Sequence, residues 1–238
     1  MVGETLRIGV VSDIHSNLEA LNEVMKELKD CQKVLCAGDL VGYGPDPNEV
    51  IELLSRETEK GRFQAVMGNH DYAVVTGDTH GFSHLAREGV RWTRSVMKKE
   101  KIVFLRSLRK NLKISIGGIT FSVFHGSPRN PLDEYVFPQT PQEILERFLK
   151  ESGGKVLILG HTHVPMIREL KEGLVINPGS VGQPRDFDPR ASFIVLEIKE
   201  GELEVNFRRV EYDVELTVEK ISERGLPREL GERLLYGL

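Results

Sequence analysis

Apolar positions in this chain follow two alternating rhythms. Leu6 to Val11 is a short run rich in β-branched residues that stops at polar Ser12-Asp13, which predicts a buried strand ending in a polar loop. Leu18, Leu21, Val24, Met25 and Leu28 then recur at helical spacing, forming one face of an amphipathic helix. The pair repeats at once: Lys33 to Ala37 reads as a strand closed by Gly38-Asp39, and Val50, Ile51, Leu53 and Leu54 mark a helix with Pro47 near its first turn. Phe63 to Met67 is a third strand, closed by Gly68. Strands alternating with helices through short connections predict a parallel sheet with right-handed crossovers, because only that hand packs the helix back onto a twisted sheet.

The pattern from Tyr72 to Leu112 is mostly helical, with Leu85, Val90, Trp92, Val96, Val103, Leu105 and Leu108 as expected buried positions and Trp92 as a core residue rather than a substrate platform. Lys113 to Ile116 and Ile119 to Phe124 flank Gly117-Gly118, a hairpin signal. Thr140-Pro141-Gln142-Glu143 has the form of a capping box with proline at the first helical position, so a helix is expected to about Glu151. Lys155 to Leu159, Leu174 to Asn177, Ser192 to Ile198 and Leu203 to Val210 read as further strands, and Ile221, Leu226, Leu230, Leu234 and Leu235 as a helical tail. These elements give an α/β fold: two mixed β-sheets, one with parallel βαβ character and one more antiparallel, stacked and flanked by helices in a four-layer α/β/β/α sandwich. One domain over 1–238, with a C-terminal tail at 212–238, is the expected organisation for a chain of this length.

Composition narrows the classes. No run approaches the roughly 18 apolar residues that a membrane helix needs, and the N-terminus lacks a basic-then-apolar leader, so a soluble, cytoplasmic protein without a membrane partner is expected. The formal net charge of −4 provides no global field for nucleic acid, and Lys98, Lys99, Lys101, Arg106, Arg109 and Lys110 read as a solvated helical face. The two cysteines do not suggest a disulfide or a metal ligand: Cys36 lies inside an apolar run, as a buried thiol does.

The chemistry is concentrated in five polar clusters, each at the end of an expected strand: Asp13-Ile14-His15, Gly38-Asp39, Gly68-Asn69-His70-Asp71, His125-Gly126 and Gly160-His161-Thr162-His163. Five of the seven histidines fall in them, whereas His80 and His84 lie outside and read as surface residues. Asp13 and His15 are two apart just beyond a strand, so a continued extended backbone would turn both side chains to one side; His161 and His163 repeat that spacing. With Asp39, Asn69 and His125 they make seven candidate ligands. Seven exceed what one catalytic ion takes from a protein, and two ions sharing a carboxylate would use them all, with Asp39 as the natural bridge.

The ordered series D-x-H, G-D, G-N-H-D, H-G and G-H-x-H resembles the calcineurin-like metallophosphoesterase superfamily, and more closely its small, cap-less prokaryotic phosphodiesterases; Asn177-Pro178-Gly179-Ser180 resembles the N-P-G-S loop of that group. The resemblance implies one metal held by Asp13, His15, Asp39 and His163 and another by Asp39, Asn69, His125 and His161. It also implies catalytic roles for His70, as acid or charge stabiliser at the leaving oxygen, and for Asp71, as the residue that orients His70. The mixed donor set favours two divalent transition-metal ions, Mn, Fe, Ni, Co or Zn, over Mg. The implied activity is hydrolysis of a phosphodiester or phosphomonoester bond in a small substrate, by in-line attack of a metal-bridging hydroxide.

The run Gly38-Asp39-Leu40-Val41-Gly42-Tyr43-Gly44 lacks the arginine of the longer G-D-x-V-D-R-G motif of protein serine/threonine phosphatases, which argues against a dedicated phosphoprotein phosphatase. Arg185 is the substitute phosphate contact, unless Asp186 or Asp188 pairs with it, and Asn17 and Tyr43 are expected to line the substrate pocket. A nuclease of the same superfamily and a non-catalytic binding subunit with this fold stay open as alternatives, as does a homo-oligomer.

Overall fold

A computed structural model describes residues 5–238. The first strand-helix rhythm becomes β1 (Leu6–Val11), α1 (Leu18–Glu27), β2 (Lys33–Cys36), α2 (Pro47–Glu59) and β3 (Phe63–Ala65), with β1, β2 and β3 parallel. Asn17 starts α1, its side-chain oxygen accepting from the Ala20 amide at 3.1 Å, while Glu19 and Lys26 complement the dipole at either end. Three helices follow, α3 (Asn69–Thr76), α4 (His84–Val96) and α5 (Lys99–Ser107), then the hairpin β4 (Asn111–Ile116) and β5 (Ile119–Phe124). Gly117 and Gly118 both have positive φ, 57° and 81°, the conformation that a two-residue turn needs to match strand twist. The rest comprises α6 (Gln142–Ser152), β6 (Val156–Ile158), β7 (Met166–Leu170), β8 (Gly173–Asn177), β9 (Ala191–Lys199), β10 (Glu202–Val210), α7 (Val214–Glu223) and α8 (Arg228–Tyr236).

The strands form two five-stranded sheets, ordered β10-β9-β1-β2-β3 and β4-β5-β6-β8-β7. Each has two parallel and two antiparallel pairings, so the second is no more antiparallel than the first, contrary to the expectation from pattern. β7 was not expected at all. It is a short edge strand carrying Arg168 and Glu169, and charge on an edge guards it against further pairing while erasing the hydrophobic signal.

Ile8, Val10 and Leu35 of the first sheet meet Phe121, Val123, Ile158 and Ile176 of the second in a shared, fully buried core. Leu21, Val24, Val50, Ile51, Leu54 and Leu105 cover the outer face of the first sheet, and Leu145, Phe148 and Leu149 of α6 cover that of the second. The result is the expected four-layer sandwich. Val96 and Val103, expected in the core, are 39% and 62% exposed: Val96 is the last residue of α4, and α5 is short and buries little beyond Leu105. Pro141 occupies the cap position of α6 and no side chain caps that helix, so the capping box at Thr140 does not form.

The tail folds back as a helical hairpin. Ile221, Leu226, Leu230 and Leu234 pack with Tyr43, Ala86 and Trp92, and the Trp92 indole donates to the Arg224 carbonyl at 3.0 Å. Buried Asp46 pairs with Lys220 at 3.2 Å and Arg224 at 2.7 Å, tying α7 to the loop that carries Tyr43. Among the described residues no helix is long and apolar enough to cross a membrane.

Candidate metal centre

The ends of β1, β2, β3, β5 and β6 lie along one rim of the stacked sheets, and the five polar clusters meet there. Their backbone is unusual. Asp13, His15, Asp39, His161 and His163 all have positive φ, at 52°, 47°, 54°, 68° and 59°. Asp13 and His15 therefore do not converge through continued extension, as the spacing predicted. Each turns its side chain inward from a left-handed backbone that costs a non-glycine residue roughly 1–2 kcal/mol. Main-chain hydrogen bonds between loops offset that cost: Asp13 N to Gly38 O at 2.9 Å, His15 N to Asp39 O at 2.9 Å, Gly160 N to His125 O at 2.9 Å and Gly182 N to Asp13 O at 2.9 Å. The rim is laced together before any ligand arrives.

Three histidines share a further constraint. His15, His125 and His163 each turn Nδ1 to a backbone carbonyl, of Val41 at 3.2 Å, Ala37 at 2.8 Å and Gln183 at 2.5 Å respectively. A ring whose Nδ1 donates to a carbonyl presents Nε2 as its basic nitrogen. These Nε2 atoms point at one another and at carboxylates. His15 Nε2 lies 3.0 Å from His163 Nε2, 3.7 Å from Asp13 Oδ1 and 3.6 Å from Asp39 Oδ2. His163 Nε2 is 3.2 Å from Asp13 Oδ1. On the other side His125 Nε2 lies 3.3 Å from Asp39 Oδ2, 2.9 Å from Asn69 Oδ1 and 3.1 Å from His161 Nδ1.

Both carboxylates are half engaged. Asp13 Oδ2 accepts from the Ser12 hydroxyl and the His161 amide, leaving Oδ1 buried without a hydrogen-bond partner among the described residues. Asp39 Oδ1 accepts from the His70 amide at 2.8 Å, leaving Oδ2 between the two groups of imidazoles.

This donor set fits divalent cations. Facing lone pairs on buried nitrogen and oxygen repel unless positive charge lies among them. The groups Asp13-His15-His163 and Asp39-His125-His161 each bring ligand atoms within 4.8 Å of one another. Burial pushes the Asp39 carboxyl up, yet His125 and His70 beside it hold it well below the usual carboxylate range. Burial disfavours charge on His125, but the Asp39 and Asp13 carboxylates raise it to about 9. Burial pushes His161 down to about 3, with the His125 charge adding to the effect. The field at the centre thus favours cations, and most of its nitrogens are free to ligate them.

Around this centre the expected substrate residues divide. Tyr43 packs between His15 and His70, with ring centroids 4.7 and 4.5 Å away, and its hydroxyl accepts from Arg185 Nη2 at 3.3 Å. Arg185 is not paired with a neighbouring carboxylate: Asp186 is taken by Arg209 and Asp188 by Arg190 at 2.7 Å. Both residues line a cleft of about 660 Å3 together with Asn69, His70 and His161.

Asn17 does not line it. Its side chain is buried, caps α1 and donates to Gly182 O at 3.0 Å, so it is structural. Asn17→Ala is expected to lower stability by about 1–3 kcal/mol, summing a lost cap and a lost buried hydrogen bond, while leaving KM within about threefold of wild type. Thermal denaturation and steady-state kinetics check this, and a KM rise with unchanged melting would return Asn17 to the substrate.

Asp71 does not orient His70 either. Its carboxylate accepts from the amides of Leu40 at 2.9 Å, Val41 at 3.1 Å and Gly68 at 3.0 Å, and His70 Nδ1 has no hydrogen-bond partner among the described residues. Asp71 thereby pins the loop after β2 to the start of α3. Two cleft residues carried no sequence signal. Tyr135 stacks on His161 with centroids 3.8 Å apart, and Arg233 arrives from α8. Neither lies in a motif or at a strand end.

Known proteins are similar to this chain in sequence and fold. The family model described as calcineurin-like phosphoesterase superfamily domain matches residues 6–201. An uncharacterized protein of Methanocaldococcus jannaschii is 38% identical over 97% of this chain and 98% of its own length. A probable metallophosphoesterase of Methanothermobacter thermautotrophicus is 30% identical over 85% of this chain and 91% of its own. The crystal structure of a metallophosphoesterase from Sphaerobacter thermophilus superposes with a TM-score of 0.82 at 33% identity, covering 99% of this chain and 100% of that one. The matched span contains both sheets' parallel strands and every rim residue from Asp13 to His163, and on that basis the chain belongs to the calcineurin-like phosphoesterase superfamily.

Proposed function

We propose that this protein is a dinuclear metal-dependent phosphoesterase that hydrolyses phosphodiester or phosphomonoester bonds. Asp13, His15, Asp39 and His163 would hold one divalent transition-metal ion, and Asp39, Asn69, His125 and His161 the other, with Asp39 common to both sets. The observation that carries this reading is the convergence of three Nε2 atoms, each with its Nδ1 committed to a backbone carbonyl, on carboxylate oxygens 3.2–3.7 Å away. Two ions bound there supply Lewis acidity toward the phosphoryl oxygens and ionise a water near neutral pH.

The protein's own groups do the rest. Arg185 donates to a phosphoryl oxygen from the cleft wall, braced by Tyr43 Oη and Gln183 Oε1. His70 faces the same cleft. Burial pushes it down to about 4, so the free imidazole is neutral and carries one N–H, which it donates to the leaving oxygen as charge develops. A phosphate anion alongside favours the protonated ring, so that more of it carries the second proton that can pass to the leaving oxygen. Asp71 supports both by fixing the approach of the two loops.

Titration of chelator-stripped protein with Mn is expected to give two ions per chain. The loaded protein should cleave bis-p-nitrophenyl phosphate, p-nitrophenyl phosphate or both, and their relative rates distinguish diesterase from monoesterase. His70→Asn should lower kcat by roughly 10²–10⁴ with both ions retained. A stoichiometry of one, or full turnover in His70→Asn, overturns the assignment; two ions without turnover of either ester points to a binding subunit.

A further inference from the structure

Helix α8 brings Arg233 into the wall of the cleft that holds Arg185. The helix is firmly placed: Leu230 and Leu234 are buried, Gly231 packs on Val218 of α7, and the Phe187 amide donates to Gly237 O at 2.9 Å, joining the end of α8 to the loop that carries Arg185. Neither guanidinium forms an ion pair among the described residues. Arg185 bonds only to neutral oxygens, of Tyr43 at 3.3 Å and Gln183 at 2.9 Å, and its Nε has no partner. Asp78 and Asp133 also line the cleft, yet neither comes within salt-bridge distance of either arginine.

Two guanidinia facing one cavity repel each other, and burial together with the Arg185 charge lowers the Arg233 pKa. An anion between them removes that repulsion and satisfies a planar fork of donors on each side. The two positions are not equivalent. Arg185 lies over the Tyr43 ring, 5.7 Å from its centroid, and that ring packs against His15 and His70, so Arg185 stands beside the metal centre. Arg233 enters the same cleft from α8, whose Leu230 and Leu234 pack with Tyr43.

We propose that Arg233, with Arg185, forms a second anion subsite that selects phosphoesters whose other part carries a further, non-reacting phosphate or carboxylate. The proposal rests on the phosphoesterase reading for what is cleaved, but its test reads binding.

Calorimetry on the Mn-loaded full chain would compare inorganic phosphate, with one anionic head, against pyrophosphate and phosphonoacetate, with two. Wild type is expected to bind at least one two-headed probe about tenfold or more tighter than phosphate, the gain of one charge-assisted contact. Arg233→Gln should lose roughly 10- to 100-fold for that probe and less than about threefold for phosphate, and Arg233→Lys should recover part of the loss as a point charge without the fork. A loss confined to pyrophosphate assigns a second phosphate, and one confined to phosphonoacetate a carboxylate. Equal loss for all three probes, no loss, or no wild-type preference for two heads overturns the subsite. Matching melting temperatures for wild type, Arg233→Gln and Arg233→Lys establish that the fold is intact; if Arg233→Gln does not fold, Arg233→Lys carries the same comparison. Binding as described without hydrolysis of any ester would sink the phosphoesterase reading alone, and hydrolysis without the two-headed preference would sink only this one.

Discussion

Replacing Asp39 by alanine is expected to lower kcat by at least about a thousandfold and to leave the purified protein with one bound ion or none, a loss of both activity and metal. Asp39 Oδ2 lies between His15 Nε2 at 3.6 Å and His125 Nε2 at 3.3 Å, so its removal takes a charged donor from both halves of the centre at once. Its other oxygen accepts from the His70 amide, so alanine also loosens the first turn of α3. Asp39→Asn separates the two effects. The amide oxygen can still accept from His70 N, but the charge that draws cations is gone, so this variant should keep its melting temperature and lose its metals. Elemental analysis and turnover on p-nitrophenyl esters are the measurements. Two retained ions with more than about a tenth of wild-type turnover in Asp39→Asn would mean that this carboxylate is not the bridge.

Gly68→Ala is expected to damage both the fold and the metal centre, although it adds only one methyl group and alters no candidate ligand. Gly68 has φ −92° and ψ 176°, a conformation open to any residue, so backbone strain is not the cause. The cause is proximity. A methyl on Gly68 would overlap Asp39 Oδ1 and lie 2.7 Å from Asp39 Cγ. To make room, the loop after β2 and the start of α3 must separate, which strains the hydrogen bonds from Gly68 N to Asp71 and from His70 N to Asp39. The expected cost is about 3 kcal/mol, or about 10 °C in melting temperature for a chain of this size, with Mn affinity weakened about 100-fold. Differential scanning calorimetry and Mn titration test both parts. Wild-type values for both would show that the loops have slack that the close contact does not suggest.

How far the site could be read without coordinates varies from residue to residue. The seven ligand candidates were legible because cation binding restricts the residue type, and because loops at the ends of parallel strands in stacked sheets share a rim. The orienting role that the resemblance implies for Asp71 is not met, although Asp71 directly follows His70 in sequence. In the first turn of α3, neighbouring side chains point about 100° apart, so Asp71 turns to the β2 loop while His70 turns to the cleft. Asn17 had a local explanation that suffices: it immediately precedes an amphipathic helix, where asparagine is a preferred cap.

The first strand-helix alternation, the parallel β1-β2-β3 core and the chemical type of the site are properties of short stretches. Side-chain period follows from backbone geometry, and ligand choice from donor softness, so the sequence alone determined them. The tertiary structure decided the rest: the left-handed turns that aim Asp13, His15, His161 and His163 inward, the partners that free or occupy Arg185, and the arrival of Arg233 from a helix far along the chain. Those depend on loop dihedrals and on packing between segments separated by tens to hundreds of residues, and no local pattern of hydrophobicity or charge encodes which distant surfaces will meet.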